Sequence, residues 1–292
     1  MKLIKQSFEF IDQTDFSLVG IKKHIERCAR VSYKSEDKIT DTSYEKFVNM
    51  LESRGHDRPL EFGTVYLSRT AQKEDNMAWL DKYTYSPWSK FSFGNGSTRI
   101  NGKLRNTIYV TTNYRVIKEN HWEDDLQYLC EPTKYHYKRY TVHMILDRGV
   151  MDEFRTHVGL SHLAESTRYC NYSKDKFNNE VTFVIPSWCN SLIEGSEQEY
   201  SPFEINGDEV EFMNALQNAQ NSYLSLLKMG WTPQQARSVL PLGIKSELIS
   251  CGFEDAWKNF FYRRDAPDAH PMAQEIAKPM HKEFIERGFI DK

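Results

Sequence analysis

The sequence predicts an α+β fold with a mixed or antiparallel sheet and long helices. Segments with a helical period of apolar residues alternate along the chain with short runs that favour strands. No linker rich in Pro, Gly or Ser and no internal repeat divides the chain. Its 292 residues are enough to bury a substantial core. We therefore expect one domain over residues 1–292.

Two helices are predicted near the start of the chain. Leu18, Ile21 and Ile25 recur at helical spacing in "FSLVGIKKHIERCARVSY". The same period continues in "SYEKFVNMLESRG", where Gly55 follows the last periodic residues as a stop signal. Both segments have one apolar face, as expected of helices that pack on a core.

Strand-like runs follow these helices: "TVYLS", "TIYVTTNYRVI", "RYTVHMILD" and "VTFVIP". They are rich in β-branched and aromatic residues, which fit the pleated surface of a sheet. Residues 70–106 have no clear period and contain many aromatic residues and glycines. We predict a long ordered loop or an insertion at about 70–106, because long loops in compact domains usually form lids or partner surfaces.

The last third of the chain is predicted to be mainly helical. A long amphipathic pattern covers "DEVEFMNALQNAQNSYLSLLKMG". Thr232 is a good N-cap and Pro233 is favoured at a first helical position, so a short helix is expected in "TPQQARSVLP". A further helix is predicted in "DAHPMAQEIAKPMHKEFIERG".

Charge and apolar content argue against several classes of function. The 38 basic and 41 acidic residues leave a formal charge of −3, so the whole chain lacks an electrostatic footprint for nucleic acid. No stretch approaches the roughly 18 apolar residues of a membrane span, and the first residues lack the apolar core of a signal peptide. The five cysteines form no CxxC pair or Cys/His cluster at zinc spacing. We expect reduced thiols, no metal site and a cytoplasmic protein.

The polar segment "RTHVGLSHLAESTRYCNYS" at residues 155–173 is a candidate binding site. Two leucines are almost its only large aliphatic side chains, so it lacks the period of an ordinary core element. Ser166, Thr167 and Arg168 supply two hydroxyls and a guanidinium within three residues. These groups can hold a phosphate or a pyrimidine edge through charge-assisted hydrogen bonds. The alternative is a polar loop with a few buried hydroxyls.

This segment resembles the signature of the flavin-dependent thymidylate synthases, which is Arg-His-Arg, seven residues, then Ser-x-Arg-Tyr. Here Thr156-His157-Val158 is followed at the same spacing by Ser166-Thr167-Arg168-Tyr169, and "STRYCNYSKDKF" is common in the phage-borne branch of the family. Other family marks follow in order: "ARVSY", "RGHDRPLEFGTVYL", "DRGVMDEF", "ARSVLP", "WKNFFYRR" and "AHPMAQEIA". The resemblance implies the family's α+β fold, a homotetramer with active sites between subunits and, for a phage protein, the host cytoplasm.

The resemblance implies reductive methylation of deoxyuridylate (dUMP) to dTMP, in which NADPH reduces FAD and methylenetetrahydrofolate supplies the carbon. The substrate side of the site is well retained, because six residues match the family's dUMP-binding positions: Glu153, Ser166, Thr167, Arg168, Arg237 and Arg264. Arg264 and Ser166 are the candidate catalytic residues. An arginine near the uracil would favour an electron-rich ring and so assist attack from C5.

The flavin side is less well retained. The family positions that line the FAD site are matched by His56, Glu61, His157, Ser161 and Asn259. Both arginines of Arg-His-Arg are replaced, by Thr156 and Val158, although Arg155 could substitute in part if the helix shifts. Losing two charge-assisted contacts of about 1.5 to 3 kcal/mol each would weaken FAD binding by roughly two to four powers of ten.

Three functions therefore stay open at this point. The first is methylation of dUMP, and the second is a related one-carbon transfer, such as hydroxymethylation, to a pyrimidine nucleotide. The third is a non-catalytic nucleotide-binding relic that has lost its cofactor. His157 has an alternative of its own, because a histidine without its flanking arginines could be a core residue with satisfied hydrogen bonds.

Overall fold

The structure is a computed structural model that describes residues 1–168, 170–174, 177–189, 191–192 and 207–291, apart from the side chain of Ile100. Within these ranges the chain forms an α+β fold with its strands in three sheets, two of them antiparallel. The predicted fold class is therefore confirmed. No helix in the described part of the chain is long and apolar enough to cross a lipid bilayer.

The strands are, in chain order, β1 (Lys2–Ile4), β2 (Ser7–Phe10), β3 (Thr64–Ala71), β4 (Lys90–Phe93), β5 (Thr98–Ile100), β6 (Lys103–Asn113), β7 (Arg139–Asp147), β8 (Leu160–Ala164), β9 (Thr182–Val184) and β10 (Lys245–Phe253). The helices are α1 (Leu18–Tyr33), α2 (Ser43–Ser53), α3 (Lys73–Thr84), α4 (Tyr114–Glu119), α5 (Arg148–Phe154), α6 (Gly207–Lys228), α7 (Pro233–Ala236), α8 (Glu254–Arg264) and α9 (Pro271–Glu286). The helices predicted near the start of the chain and in its last third are confirmed.

The central sheet has the strand order β2, β7, β10, β8, and all of its neighbours are antiparallel. β10 lies between β7 and β8 and is buried from Ser246 to Phe253. β8 is the edge strand that carries the middle of the polar segment, and four of its five residues are buried. Residues 160–164 therefore form a core strand, so the polar-loop interpretation is wrong for this part of the segment.

Helices cover both faces of the central sheet. On one face α1 buries Ile21 and Ile25 in a core that also contains Leu163 of β8. On the other face α5, α8 and α9 bury residues such as Phe154 and Trp257. Each fully buried side chain of this size contributes about 1.5 to 3 kcal/mol. Packing on both faces fixes β8, and with it the start of the turn that carries Ser166.

Residues 70–106 contain regular structure, so a long loop does not describe this segment, and the alternative of an insertion stays a prediction. The segment contains α3, β4 and β5, and β4 and β5 both pair with β6. Trp79, Leu80 and Tyr83 of α3 are buried in the main core. The predicted strand "TIYVTTNYRVI" also ends early, because the Asn113 side chain accepts a hydrogen bond from the Val116 N–H at 3.0 Å and caps α4.

Candidate functional site

A cleft of about 340 Å³ opens where β8 ends. The turn after β8 supplies Ser166, Thr167 and Arg168 to its wall, and the 3₁₀ turn after α7 supplies Arg237. Arg237 Nη1 donates to Thr167 Oγ1 over 2.9 Å, which joins the two segments at the cleft. The structure therefore brings together four of the six predicted substrate-binding residues. We call this site the arginine cleft.

Three further arginines line the arginine cleft: Arg58, Arg148 and Arg155. The Asp147 side chain accepts from the Val150 N–H at 2.7 Å and starts α5 directly after β7, which places Arg148 at the rim of the sheet. Sequence reasoning missed Arg58 and Arg148. The spacing of Arg148 and Arg155 was a usable signal, because residues seven apart in a helix lie on nearly the same face.

The turn after β8 rests on a buried charged residue. Glu165 is 1 % exposed, and its carboxylate accepts from Lys245 Nζ at 2.8 Å and from the Tyr172 hydroxyl at 3.4 Å. Its backbone N–H donates to the Glu247 carbonyl at 2.8 Å, which extends the pairing between β8 and β10 by one residue. These bonds hold the backbone immediately before Ser166.

Glu247 extends this network beneath the cleft. It forms ion pairs with Lys245 and Lys34, and His143 Nε2 donates to it over 2.9 Å. Burial raises the pKa of Glu247, but the hydrogen bond from His143 and the two lysine charges outweigh it and hold this pKa well below its usual value. Burial lowers the pKa of His143, but its hydrogen bonds to Glu247 and Glu9 outweigh that effect and raise it.

The other two predicted substrate residues, Glu153 and Arg264, lie in a separate cleft of about 530 Å³, which we call the Arg264 cleft. Arg264 Nη1 donates to Glu153 Oε2 over 2.6 Å, and Nη2 donates to the Glu153 carbonyl over 3.0 Å. Glu153 is rotated by about 140° from Arg148 around α5. α5 therefore stands between the two clefts, and one chain does not unite the six residues.

His157 fixes the orientation of Arg264. Its Nε2 accepts from Arg264 Nε at 2.7 Å, and its ring packs against Phe260. Burial, together with the nearby charge of Arg264, lowers the pKa of His157 to about 4. The ring is therefore neutral near pH 7 and can accept this hydrogen bond. This is the arrangement of a core histidine with a satisfied hydrogen bond, and its contact with FAD stays a prediction.

His162 lies between the two clefts. It lines the arginine cleft, and its Nε2 donates to the His157 carbonyl over 3.3 Å. Its Nδ1 accepts from the Ser250 hydroxyl at 2.9 Å on the neighbouring strand β10. Burial lowers the pKa of His162 to about 4, and the charges of Arg58 and Arg155 contribute. His162 therefore contacts His157, which orients Arg264, and its pKa is lowered by two arginines of the arginine cleft.

None of the five predicted flavin residues lines the arginine cleft or the Arg264 cleft. His56 and Asn259 are exposed, whereas Glu61 and Ser161 are buried. Glu61 accepts from Arg115 Nη1 at 2.5 Å. Ser161 Oγ has no hydrogen-bond partner in the described part of the chain, and it lies on the same face of β8 as Leu163 of the main core. The role of these residues in FAD binding stays a prediction.

The replaced signature positions are at the surface. Thr156 and Val158 are both exposed, and Val158 is 88 % exposed. Tyr169, the last residue of the signature, lies outside the described residues. Across the described ranges, no group of three or more His, Cys, Asp or Glu side chains could hold a metal ion.

Comparison with known proteins gives one family match. The model of the family described as "Thymidylate synthase complementing protein" matches residues 116–287, which is more than half of the chain. Two solved structures of the UMP/dUMP methylase PolB from Streptomyces cacaoi, bound with 5-Br UMP and with 5-Br dUMP, are similar at 16% sequence identity. They cover 99% of this chain and 92% and 93% of their own chains, with TM-scores of 0.44 and 0.43. No protein of curated function matches the sequence.

Proposed function

Because the chain belongs to the thymidylate synthase complementing protein family, we propose that it methylates the pyrimidine nucleotide dUMP at C5 to give dTMP. The arginine cleft is the observation that carries this proposal. Two hydroxyls of the turn after β8 and two guanidiniums, those of Arg168 and Arg237, face one space of about 340 Å³. Guanidinium forks and hydroxyls match the geometry of a phosphate group. In this proposal they hold the nucleotide phosphate.

Arg264 acts on the pyrimidine ring in this proposal. Its hydrogen bonds to His157 and Glu153 use three of the five N–H groups of its guanidinium. The two others can meet a uracil oxygen, where a fixed cation favours an electron-rich ring and so assists attack from C5. His157 and Glu153 orient the guanidinium without taking part in the bond that forms.

The division of the predicted substrate residues between two clefts supports an active site shared by two chains. α5 stands between the arginine cleft and the Arg264 cleft, so the phosphate grip and the ring contact of one bound nucleotide would come from different chains. This agrees with the homotetramer that the family resemblance implies. We extend the proposal to an active site assembled between subunits.

FAD, NADPH and methylenetetrahydrofolate enter the proposal through the family resemblance alone. Reduced flavin would supply the hydride that reductive methylation needs, and the folate would supply the carbon. Since none of the predicted flavin residues lines either of the two clefts, we derive no step through the flavin. The residues of this chain account for nucleotide binding and for the orientation of Arg264.

The experiment that tests the proposal is product analysis with the purified protein. We would incubate it with dUMP, methylenetetrahydrofolate and NADPH, with and without added FAD, and measure the mass of the nucleotide product by mass spectrometry. Gain of a methyl group supports the proposal, whereas gain of a hydroxymethyl group would replace it with the related one-carbon transfer. A folded, colourless protein that binds dUMP but converts it under no cofactor combination would identify the non-catalytic relic.

A binding measurement separates the site from the chemistry. Arg168→Ala is expected to weaken dUMP binding at least tenfold in calorimetry, because it removes a charge-assisted contact to the phosphate. Arg99→Ala is the matched control, since Arg99 is an exposed arginine on β5 outside both clefts. Equal dUMP affinity in the folded Arg168→Ala variant would remove Arg168 from the site.

A further inference from the structure

The arginine cleft carries more positive charge than one nucleotide phosphate can balance. Its wall holds five arginines: Arg58, Arg148, Arg155, Arg168 and Arg237. Glu165 is the only carboxylate among the described residues of this wall, and Lys245 already pairs with it at 2.8 Å. Asp152 offsets one further charge through its contacts with Arg148 and Arg155. A phosphate monoester carries about 1.5 to 2 negative charges at pH 7, which the turns that carry Arg168 and Arg237 are assigned to hold. Of the three other arginines, Arg148 and Arg155 share the single charge of Asp152, so this group keeps about two positive charges that no described carboxylate balances.

The additional arginines form a group of their own. Arg148 and Arg155 lie about two helical turns apart, on the same side of α5. Asp152 lies between them and accepts from Arg148 Nε at 3.3 Å and from Arg155 Nη1 at 3.2 Å, which holds both guanidiniums on that side. Arg58 and Arg155 line the same cleft as His162, whose pKa is lowered by burial and, in addition, by the charges of these two arginines.

Like charges held together in one cleft repel each other, and an anion bound between them offsets this repulsion. Of the three additional arginines, Arg148 and Arg155 share a single exposed carboxylate, and Arg58 comes from the 3₁₀ turn Arg58–Phe62. Arg168 and Arg237 belong to the turns beside Ser166 and Thr167, which are already assigned to the nucleotide phosphate. The cleft therefore has the donors and the charge for two anionic groups side by side.

We propose that Arg58, Arg148 and Arg155 form a second anion subsite, which binds a phosphate group next to the one held by Ser166, Thr167, Arg168 and Arg237. This second phosphate belongs either to a nucleoside diphosphate or to a separate ligand bound beside the nucleotide. The inference rests on the proposed function only for the identity of the first phosphate.

Calorimetry with inorganic anions tests the subsite directly on the full chain. Pyrophosphate is expected to bind at least tenfold more tightly than orthophosphate, because it can engage both arginine groups at once. The double variant Arg148→Gln with Arg155→Gln should lose this preference and keep its orthophosphate affinity within about threefold, since the grip beside Ser166 is untouched. Arg99→Ala, the control, should keep the full preference. Equal affinities for the two anions in the unmodified protein, or a preference that survives in the double variant, would overturn the subsite.

The double variant is expected to fold, and a variant on a different element tests the subsite independently. Arg148 and Arg155 pair with an exposed carboxylate, so their removal strands no buried charge, and circular dichroism should show an unchanged fold. Arg58→Gln changes a different element and should reduce the pyrophosphate preference at least threefold on its own. An unchanged preference in Arg58→Gln would remove Arg58 from the subsite.

Nucleotides distinguish the two sources of the second phosphate. If it belongs to the nucleotide, dUDP should bind at least tenfold more tightly than dUMP. If it belongs to a separate ligand, dUMP and dUDP should bind alike, and orthophosphate should still bind to protein saturated with dUMP through Arg148 and Arg155. A protein that prefers pyrophosphate but binds neither nucleotide would keep the subsite and contradict the proposed function. Normal dUMP binding without any pyrophosphate preference would contradict the subsite and leave the proposed function in place.

Discussion

Arg264 Nε donates to His157 Nε2 over 2.7 Å, and His157 is the one residue of the Arg-His-Arg signature that this chain retains. Glu153 holds the same guanidinium through its carboxylate at 2.6 Å and through its carbonyl at 3.0 Å. A residue predicted to contact the flavin therefore orients a residue predicted to contact the substrate. The retained histidine has a structural partner that does not depend on the missing arginines.

Arg264→Lys tests whether the planar guanidinium is needed in the transition state. A lysine ammonium keeps the charge but cannot reproduce the three fixed hydrogen bonds to His157 and Glu153. We expect kcat for dUMP methylation to fall at least tenfold, and by a larger factor than KM rises. Steady-state kinetics beside the Arg99→Lys control measures both constants. An effect on KM alone would contradict a role on the ring.

His157→Gln tests the neutral state of the buried ring. The folded-state pKa of His157, about 4, lies below the ordinary value of 6.5, so the unfolded chain takes up this proton first as the pH falls. The stability present above pH 6.5 should therefore decline by up to about 3 kcal/mol between pH 6.5 and pH 4. Glutamine does not titrate, and its amide oxygen can still accept from Arg264.

Urea unfolding at several pH values measures this effect. The difference in unfolding free energy between His157→Gln and the unmodified protein should shift in favour of the variant as the pH falls from 6.5 to 4. The charged neighbours Arg263 and Arg264 and the titrating His162 are common to both proteins, so they largely cancel in the comparison. Parallel pH profiles would show that His157 does not contribute to the acid sensitivity.

Ser161→Ala tests whether the buried hydroxyl serves the fold or a ligand. Ser161 Oγ has no hydrogen-bond partner within the described residues, and a buried unsatisfied polar group costs about 1 to 3 kcal/mol. Alanine should raise the free energy of unfolding by about 1 kcal/mol in urea titrations. Ser250→Ala is the matched control and should lower it, because the Ser250 hydroxyl bonds to His162 at 2.9 Å. A weaker FAD affinity in Ser161→Ala would instead assign the hydroxyl to the cofactor.

Restoring the two lost arginines tests the departure from the family signature. Thr156 and Val158 are exposed, so Thr156→Arg with Val158→Arg should not disturb the core. We expect FAD to bind at least tenfold more tightly, even though ordering each side chain costs up to about 2 kcal/mol. Fluorescence titration of the apo-protein measures the affinity, and Thr156→Gln with Val158→Gln controls for size without charge. Level or weaker binding would mean that other residues already occupy this position.

The elements that the sequence predicts well are those whose own residues carry the pattern. α1 shows a helical apolar period and begins after Ser17, whose side chain accepts from the Gly20 N–H at 3.1 Å. β10 was not predicted, although it is the most buried strand of the central sheet, because "KSELISCGF" mixes small and polar residues. Part of this composition has a packing reason: position 252 requires glycine, since a Cβ there would lie 2.5 Å from Leu160 Cδ2 on β8. Such a requirement becomes visible only when the two strands are paired.

The same distinction applies to the site. Ser166, Thr167 and Arg168 are consecutive, so their combined chemistry could be read from the chain itself. Arg58 reaches the arginine cleft from a turn more than one hundred residues before Ser166. The contact between His157 and Arg264 also joins residues that are far apart in sequence. Tertiary packing creates these contacts, and no local period encodes them.

The position of α5 between the two clefts has a genetic consequence. An allele that encodes Arg168→Ala damages the arginine cleft and spares Arg264, whereas an allele that encodes Arg264→Ala does the opposite. If active sites form between subunits, a cell with both alleles assembles some hetero-oligomers whose sites draw an intact half from each product. Such a cell, lacking any other source of thymidylate, should grow without added thymidine, although neither allele alone supports growth. Failure of every pairwise combination to complement would indicate that each chain completes its own site.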